Sequence, residues 1–114
     1  MKVLILGLGI NGGGRAASLY FARRDAYEVR VSDVSPRSYF GNVPKELEDL
    51  GVKCFFEDKD PKENIRWADL VIKNPAVPTS LPQLSLAKRI ANDFSFLFSS
   101  PEIKKTKLIA VTGT

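Results

Sequence analysis

Short runs of consecutive apolar residues alternate along this chain with stretches that are apolar on one side only. Val3-Leu4-Ile5-Leu6 is apolar at four successive positions. Neighbouring side chains of a strand point to opposite sides, so this run predicts a strand covered on both faces. A glycine-rich turn follows, and then a helix over Arg15 to Arg24, with Ala16, Leu19 and Tyr20 on one face. Val29 and Val31 alternate with Glu28, Arg30 and Ser32, which predicts a second strand ending at Asp33. Segment 34–43 holds Pro36 and Gly41 and reads as a loop. Pro44 opens a helix over Lys45 to Leu50, which Gly51 closes as a left-handed cap.

The same alternation continues through the second half. Val52 to Phe56 is a third strand, and Asp60-Pro61-Lys62-Glu63 carries a capping acid, a first-turn proline and a glutamate at capping-box spacing. The helix so introduced runs to about Trp67, read as an anchor between helix and sheet. Asp69 to Ile72 is the fourth strand, followed by a turn stiffened by two prolines, Asn74-Pro75-Ala76-Val77-Pro78. Ser80 and Gln83 repeat the capping-box spacing before a helix through Leu84, Ala87, Ile90 and Ala91. Phe94 to Phe98 admits two readings, an alternating strand or a short helix capped by Asn92-Asp93. Residues 101–106 are polar and read as a connector, and Lys107 to Ala110 as a further strand. Strands that alternate with helical stretches predict an α/β class, a Rossmann-like open parallel sheet flanked by helices.

Composition narrows the function classes. A chain of 114 residues that is 44% hydrophobic and 26% charged suits a folded soluble domain. The longest apolar run is far too short to span a membrane, and no secretory leader opens the chain. One cysteine, Cys54, forms no internal disulfide and reads as packing, with a cytoplasmic location as the default. The absence of histidine excludes histidine acid/base catalysis and histidine metal ligands within these residues. A formal charge of +4 comes from scattered Lys and Arg without interleaved aromatics, which solvated helix faces explain more simply than a nucleic-acid surface does.

The candidate chemistry lies at the strand ends. Gly7-Leu8-Gly9-Ile10-Asn11-Gly12 matches G-x-G-x-x-G between a strand and a helix. In that setting Gly7 permits the tight turn, Gly9 lets a pyrophosphate approach the backbone, and Gly12 lets the helix pack closely. Asp33, about twenty positions further on at a strand end, is placed to bond a ribose. Ligands of an open parallel sheet sit beyond the carboxyl ends of the strands near the switch point. That rule gathers Gly7 to Asn11, Asp33 to Ser35, Glu57-Asp58 and Asn74-Pro75 along one rim. At the other end of the chain, Thr112-Gly113-Thr114 reads as the opening of a phosphate-binding loop. It divides the chain into 1–93 for the sheet domain, 94–106 for a connector and 107–114 for the start of an ATP-binding domain that continues beyond Thr114.

Four segments in this order, Gly7 to Gly12, Trp67-Ala68-Asp69-Leu70-Val71, Asn74 to Pro78 and Ile109 to Thr114, resemble the Mur ligases, most closely the branch that adds D-glutamate. The resemblance implies a first domain that holds the UDP end of its substrate and does not bind NAD. It implies a central domain that binds ATP and Mg²⁺ through a loop beginning at Thr112, Gly113 and Thr114. The implied reaction activates the carboxylate of UDP-N-acetylmuramoyl-L-alanine as an acyl phosphate, which the amine of D-glutamate attacks. Carried over by position, the substrate-binding residues are Gly9, Ile10, Asn11, Gly12, Asp33, Val34, Ser35, Glu57 and Asn74, with no catalytic residue and no metal ligand among these 114. The implied enzyme is a cytoplasmic monomer without nucleic-acid or membrane partners. The chain departs from the family where Asn11 replaces a small hydroxyl residue. It is also shorter than usual between Ala91 and Phe98, so that the fifth strand is expected to be reduced or missing. An NAD(P)- or FAD-binding domain of an oxidoreductase or regulatory module explains Gly7 to Gly12 and Asp33 equally well, but neither Asn74 to Pro78 nor Thr112 to Thr114.

Overall fold

A computed structural model describes residues 1–9 and 13–92. Five parallel strands form one sheet in the order β3-β2-β1-β4-β5. They are β1 (Lys2–Leu6), β2 (Glu28–Ser32), β3 (Lys53–Phe55), β4 (Leu70–Lys73) and β5 (Ile90–Asn92). Helices α1 (Gly13–Ala22), α2 (Val43–Glu48) and α3 (Lys62–Trp67) make the crossovers, with 3-10 turns at Arg37–Phe40 and Pro82–Leu86. The chain is therefore of the α/β Rossmann-like class that its pattern predicts.

β1 is apolar at successive positions because it divides two cores. Val3 and Ile5 pack with Leu8, Phe21, Val31 and Leu47 on the side of α1 and α2. Leu4 and Leu6 pack with Ile65, Ala68, Val71 and Leu84 on the side of α3. Its neighbours align with it in register, Val3 opposite both Val29 and Leu70. Phe21 is fully buried and meets Tyr27 edge to face, ring centroids 4.8 Å apart. Truncating such a ring to alanine typically costs about 3–5 kcal/mol.

The buried stripe of α1 is not the one hydrophobicity alone selects. Gly14, Ala17, Ser18, Leu19 and Phe21 are buried, whereas Ala16 is exposed and Tyr20 only half-buried. Gly14 belongs to the stripe because a side chain there would lie 2.2 Å from the Leu8 carbonyl oxygen. Ser18 belongs because its hydroxyl is satisfied inside the helix, donating to the Gly14 carbonyl at 2.6 Å.

Both expected capping boxes are replaced by one long-range bond. Neither α3 nor the second 3-10 turn has a side-chain cap, and their flanking residues are Pro61 and Leu81. Instead Gln83 Nε2 donates to Asp60 Oδ1 at 2.9 Å, tying the entrance of α3 to the 3-10 turn. The helix expected through Ile90 and Ala91 stops as well. Ala87 is extended at ψ 138°, and Ile90 and Ala91 pair with Val71 and Ile72 of β4. A fifth strand of three residues is thus present at Ile90–Asn92. Loop 34–43 contains the 3-10 turn Arg37–Phe40, and α2 begins at Val43 with Gly51 at φ 91° beyond its end. The segments 94–98, 101–106 and 107–114 lie outside the described residues. No helix among those described is long and apolar enough to cross a membrane.

Candidate functional site

The sheet order reverses direction between β1 and β4, so the turns that leave these two strands flank the switch point. The turn after β1 carries Gly7 and Gly9, and the turn after β4 carries Asn74. Asn74 N–H donates to the Leu6 carbonyl at 2.9 Å, and its side-chain Oδ1 accepts from Ala76 N–H at 2.9 Å. Its amide lies against Gly9, where an added Cβ would stand 2.5 Å from Nδ2. Gly9 is also left-handed at φ 75°, so glycine is required twice over. The close approach at Gly9 is thus made by a side chain of the chain itself.

Lys73 braces the second turn. It is buried at the end of β4, and its ammonium donates to the Asn74 carbonyl at 3.2 Å and the Val77 carbonyl at 2.6 Å. Two of its three donors are thereby matched by carbonyl dipoles, which offsets part of the cost of burying the group.

Asp33 joins two backbone segments. Its Oδ2 accepts from Leu8 N–H at 2.8 Å, in the glycine turn, and its Oδ1 from Ser35 N–H at 2.9 Å. The Asp33 peptide is itself held by β3 and the loop after it, donating to the Phe55 carbonyl and accepting from Asp58 N–H, both at 3.0 Å. Each carboxylate oxygen has a second lone pair, so two acceptor positions remain.

Asp58 stands beside it at the head of a polar chain. Asp58 Oδ2 accepts from Ser32 Oγ at 2.8 Å and from Asn64 Nδ2 at 3.0 Å. Asn64 Oδ1 in turn accepts from Arg30 Nη1 at 3.1 Å, and the Arg30 guanidinium lies 4.1 Å from the Trp67 ring centroid. The face of β2 that meets α3 is therefore polar, which explains why β2 alternates where β1 does not.

These elements enclose an open cavity of about 400 Å³ at the carboxyl ends of the strands. Of the residues singled out from the sequence, Gly9, Asp33, Val34, Ser35 and Asn74 line it together. Glu57 does not. It is exposed and left-handed at φ 55°, and its neighbours Asp58 and Lys59 form the wall instead. Ile10, Asn11, Gly12, Thr112, Gly113 and Thr114 lie outside the described residues. Among the lining residues that the sequence did not point to are Tyr39, Phe40, Lys59 and Leu81. Tyr39 carried no signal beyond being an aromatic in a loop. Among the described residues no three carboxylates or thiols converge as a cation site.

No family model matches the chain. Comparison with curated proteins gives relatives along its full length. It is 34% identical over 115 aligned positions to a UDP-N-acetylmuramoylalanine--D-glutamate ligase of Borreliella burgdorferi, covering 100% of the chain and 25% of the relative. The ligase of the same name from Ligilactobacillus salivarius is 32% identical, over 99% of the chain and 24% of the relative. A UDP-N-acetylmuramate--L-alanine ligase of Fusobacterium nucleatum is 32% identical over 71% of the chain. The chain thus spans about a quarter of the length of the D-glutamate ligases it matches. Similar along its whole length to the N-terminal region of several of them, it belongs to the Mur ligases, in the group of UDP-N-acetylmuramoylalanine--D-glutamate ligases.

Proposed function

We propose that this chain is the part of an ATP-dependent, amide-forming ligase that holds the UDP end of UDP-N-acetylmuramoyl-L-alanine, to which the whole enzyme joins D-glutamate in the cytoplasm. The observation that carries this reading is the cavity at the switch point, walled by the glycine turn, the Asp33-Val34-Ser35 segment and the Asn74 turn. Phosphates would meet the backbone around Gly9 and the ammonium of Lys59, a lining cation. The uridine would meet the free acceptor positions of Asp33 and the segment through Ser35. Ile10, Asn11 and Gly12 are proposed contacts by their place in the glycine turn, and Glu57 by its place beside Asp58.

ATP and Mg²⁺ belong to the proposal for the whole enzyme, which would use them to activate the substrate carboxylate. Thr112, Gly113 and Thr114 are proposed as the start of their phosphate loop. In this reading the described residues contribute binding and orientation, through braced turns that present fixed donors and acceptors.

The relatives that the chain matches, which are named as ligases of a UDP-linked substrate, favour a uridine nucleotide over NAD⁺. Equilibrium dialysis against labelled UDP and NAD⁺ tests this. UDP should be retained and NAD⁺ should pass freely, and retention of NAD⁺ alone would favour an oxidoreductase module.

A further inference from the structure

Two large hydrophobic side chains on the cavity wall are more open to solvent than their size favours. Val34 keeps 65% of its surface exposed and Tyr39 keeps 59%. Singly exposed apolar side chains need no explanation, but two on the wall of one cavity mark a place where an apolar group is met.

Tyr39 is also held firmly from behind. It sits in the 3-10 turn Arg37–Phe40, where its N–H donates to the Pro36 carbonyl at 3.0 Å. Arg37 pins that turn to α2 through a bidentate pair with Glu48, at 2.6 and 2.5 Å. Phe40 meets the Tyr39 ring edge to face, centroids 5.2 Å apart, and itself packs on Phe56 at 5.6 Å. A ring fixed on one side and open on the other loses little freedom when a second flat group covers it.

We infer that Tyr39 is the platform on which the base of the bound nucleotide stacks. This rests on the reading of the cavity as a uridine diphosphate site. The polar wall of Asp33, Ser35 and Asp58 suits a base edge and ribose, and Tyr39 with Val34 supplies the apolar surface that a base face requires. Every base presents such a face, so Tyr39 contributes affinity while the carboxylates beside it read base identity.

The test is an NMR titration of the chain and two variants with UDP and with inorganic pyrophosphate. UDP should move the Tyr39 ring protons upfield, and pyrophosphate, which has no base, should leave them in place. Tyr39→Ala should weaken UDP binding by about tenfold or more, with its amide spectrum away from the 3-10 turn unchanged. Tyr39→Phe, which keeps the ring, should stay within about twofold of the parent. If the parent binds UDP but Tyr39→Ala binds it equally well, stacking is refuted and the cavity reading stands. A Tyr39→Phe loss as large as that of Tyr39→Ala would assign the effect to the hydroxyl and refute stacking too. A parent chain that binds no UDP would remove both.

Discussion

Asp33 shows how a residue type can be legible while its local work is not. Its position at a strand end was readable from spacing, but both its oxygens are engaged by backbone N–H groups of separate loops. Asparagine is nearly the same shape and has one acceptor, so in Asp33→Asn either Leu8 N–H or Ser35 N–H would face an amide NH₂. A buried unpaired donor costs about 1–3 kcal/mol, and urea denaturation of Asp33→Asn should show a loss in that range. An unchanged midpoint would mean that the carboxylate does not hold the turn. Cys54 was read as packing, and burial on β3 pushes its thiol from 9.0 up to about 11. The folded chain then keeps this proton where the unfolded chain has released it. Its contribution to stability is complete below about pH 9 and is lost as pH rises towards about 11. Stability measured from pH 8 to 11 should fall less steeply in Cys54→Ala than in the parent, and parallel curves would contradict the shift.

Among elements, strands with a clear period were legible and those whose apolar residues fit two periods were not. β1 announced itself because both its faces are buried, and β2 because its second face carries the Arg30–Asn64–Asp58 chain. β5 was hidden because Ile90 and Ala91 continue the helical spacing of Leu84 and Ala87, and only pairing with β4 settles them as strand. The capping signals at Asp60 and Gln83 were real polar groups seeking partners. They found each other across 23 positions, a contact that no local pattern contains. The α1 stripe was obscured by Gly14 and Ser18, which hydrophobicity scales score as indifferent. Gly14→Ala puts a methyl group 2.2 Å from the Leu8 carbonyl oxygen and 2.5 Å from Leu8 Cα, both backbone atoms that cannot swing aside. Helix and glycine turn must separate, so the variant should lose about 1–3 kcal/mol or more by urea denaturation. A neutral result would mean that the close contact between α1 and the turn is not needed.

On the scale of the whole molecule, the rule that ligands lie beyond strand ends at the switch point singled out Gly9, Asp33 to Ser35 and Asn74, and the fold gathers these into one cavity. It missed Tyr39 because that ring reaches the wall from a 3-10 turn inside a loop, where neither period nor motif marks it. Phosphoryl transfer needs cations and positioned donors around the transferring group, and no Gly-Lys-Ser/Thr run occurs in these 114 residues. With ATP, UDP-N-acetylmuramoyl-L-alanine and D-glutamate, this chain by itself should therefore release phosphate only at background rate. Turnover above background would contradict that division of labour. The central claim is that the switch-point cavity receives uridine diphosphate, and an amide-resolved NMR titration with UDP, using NAD⁺ at equal concentration as the competitor, tests it most directly. The account predicts that UDP shifts the amides of Gly9, Asp33, Val34 and Ser35 while those of Arg23, just beyond the end of α1, and Glu28, at the start of β2, stay fixed, and that NAD⁺ leaves all of them nearly unmoved. Shifts in the same rim amides with NAD⁺ and none with UDP would contradict it.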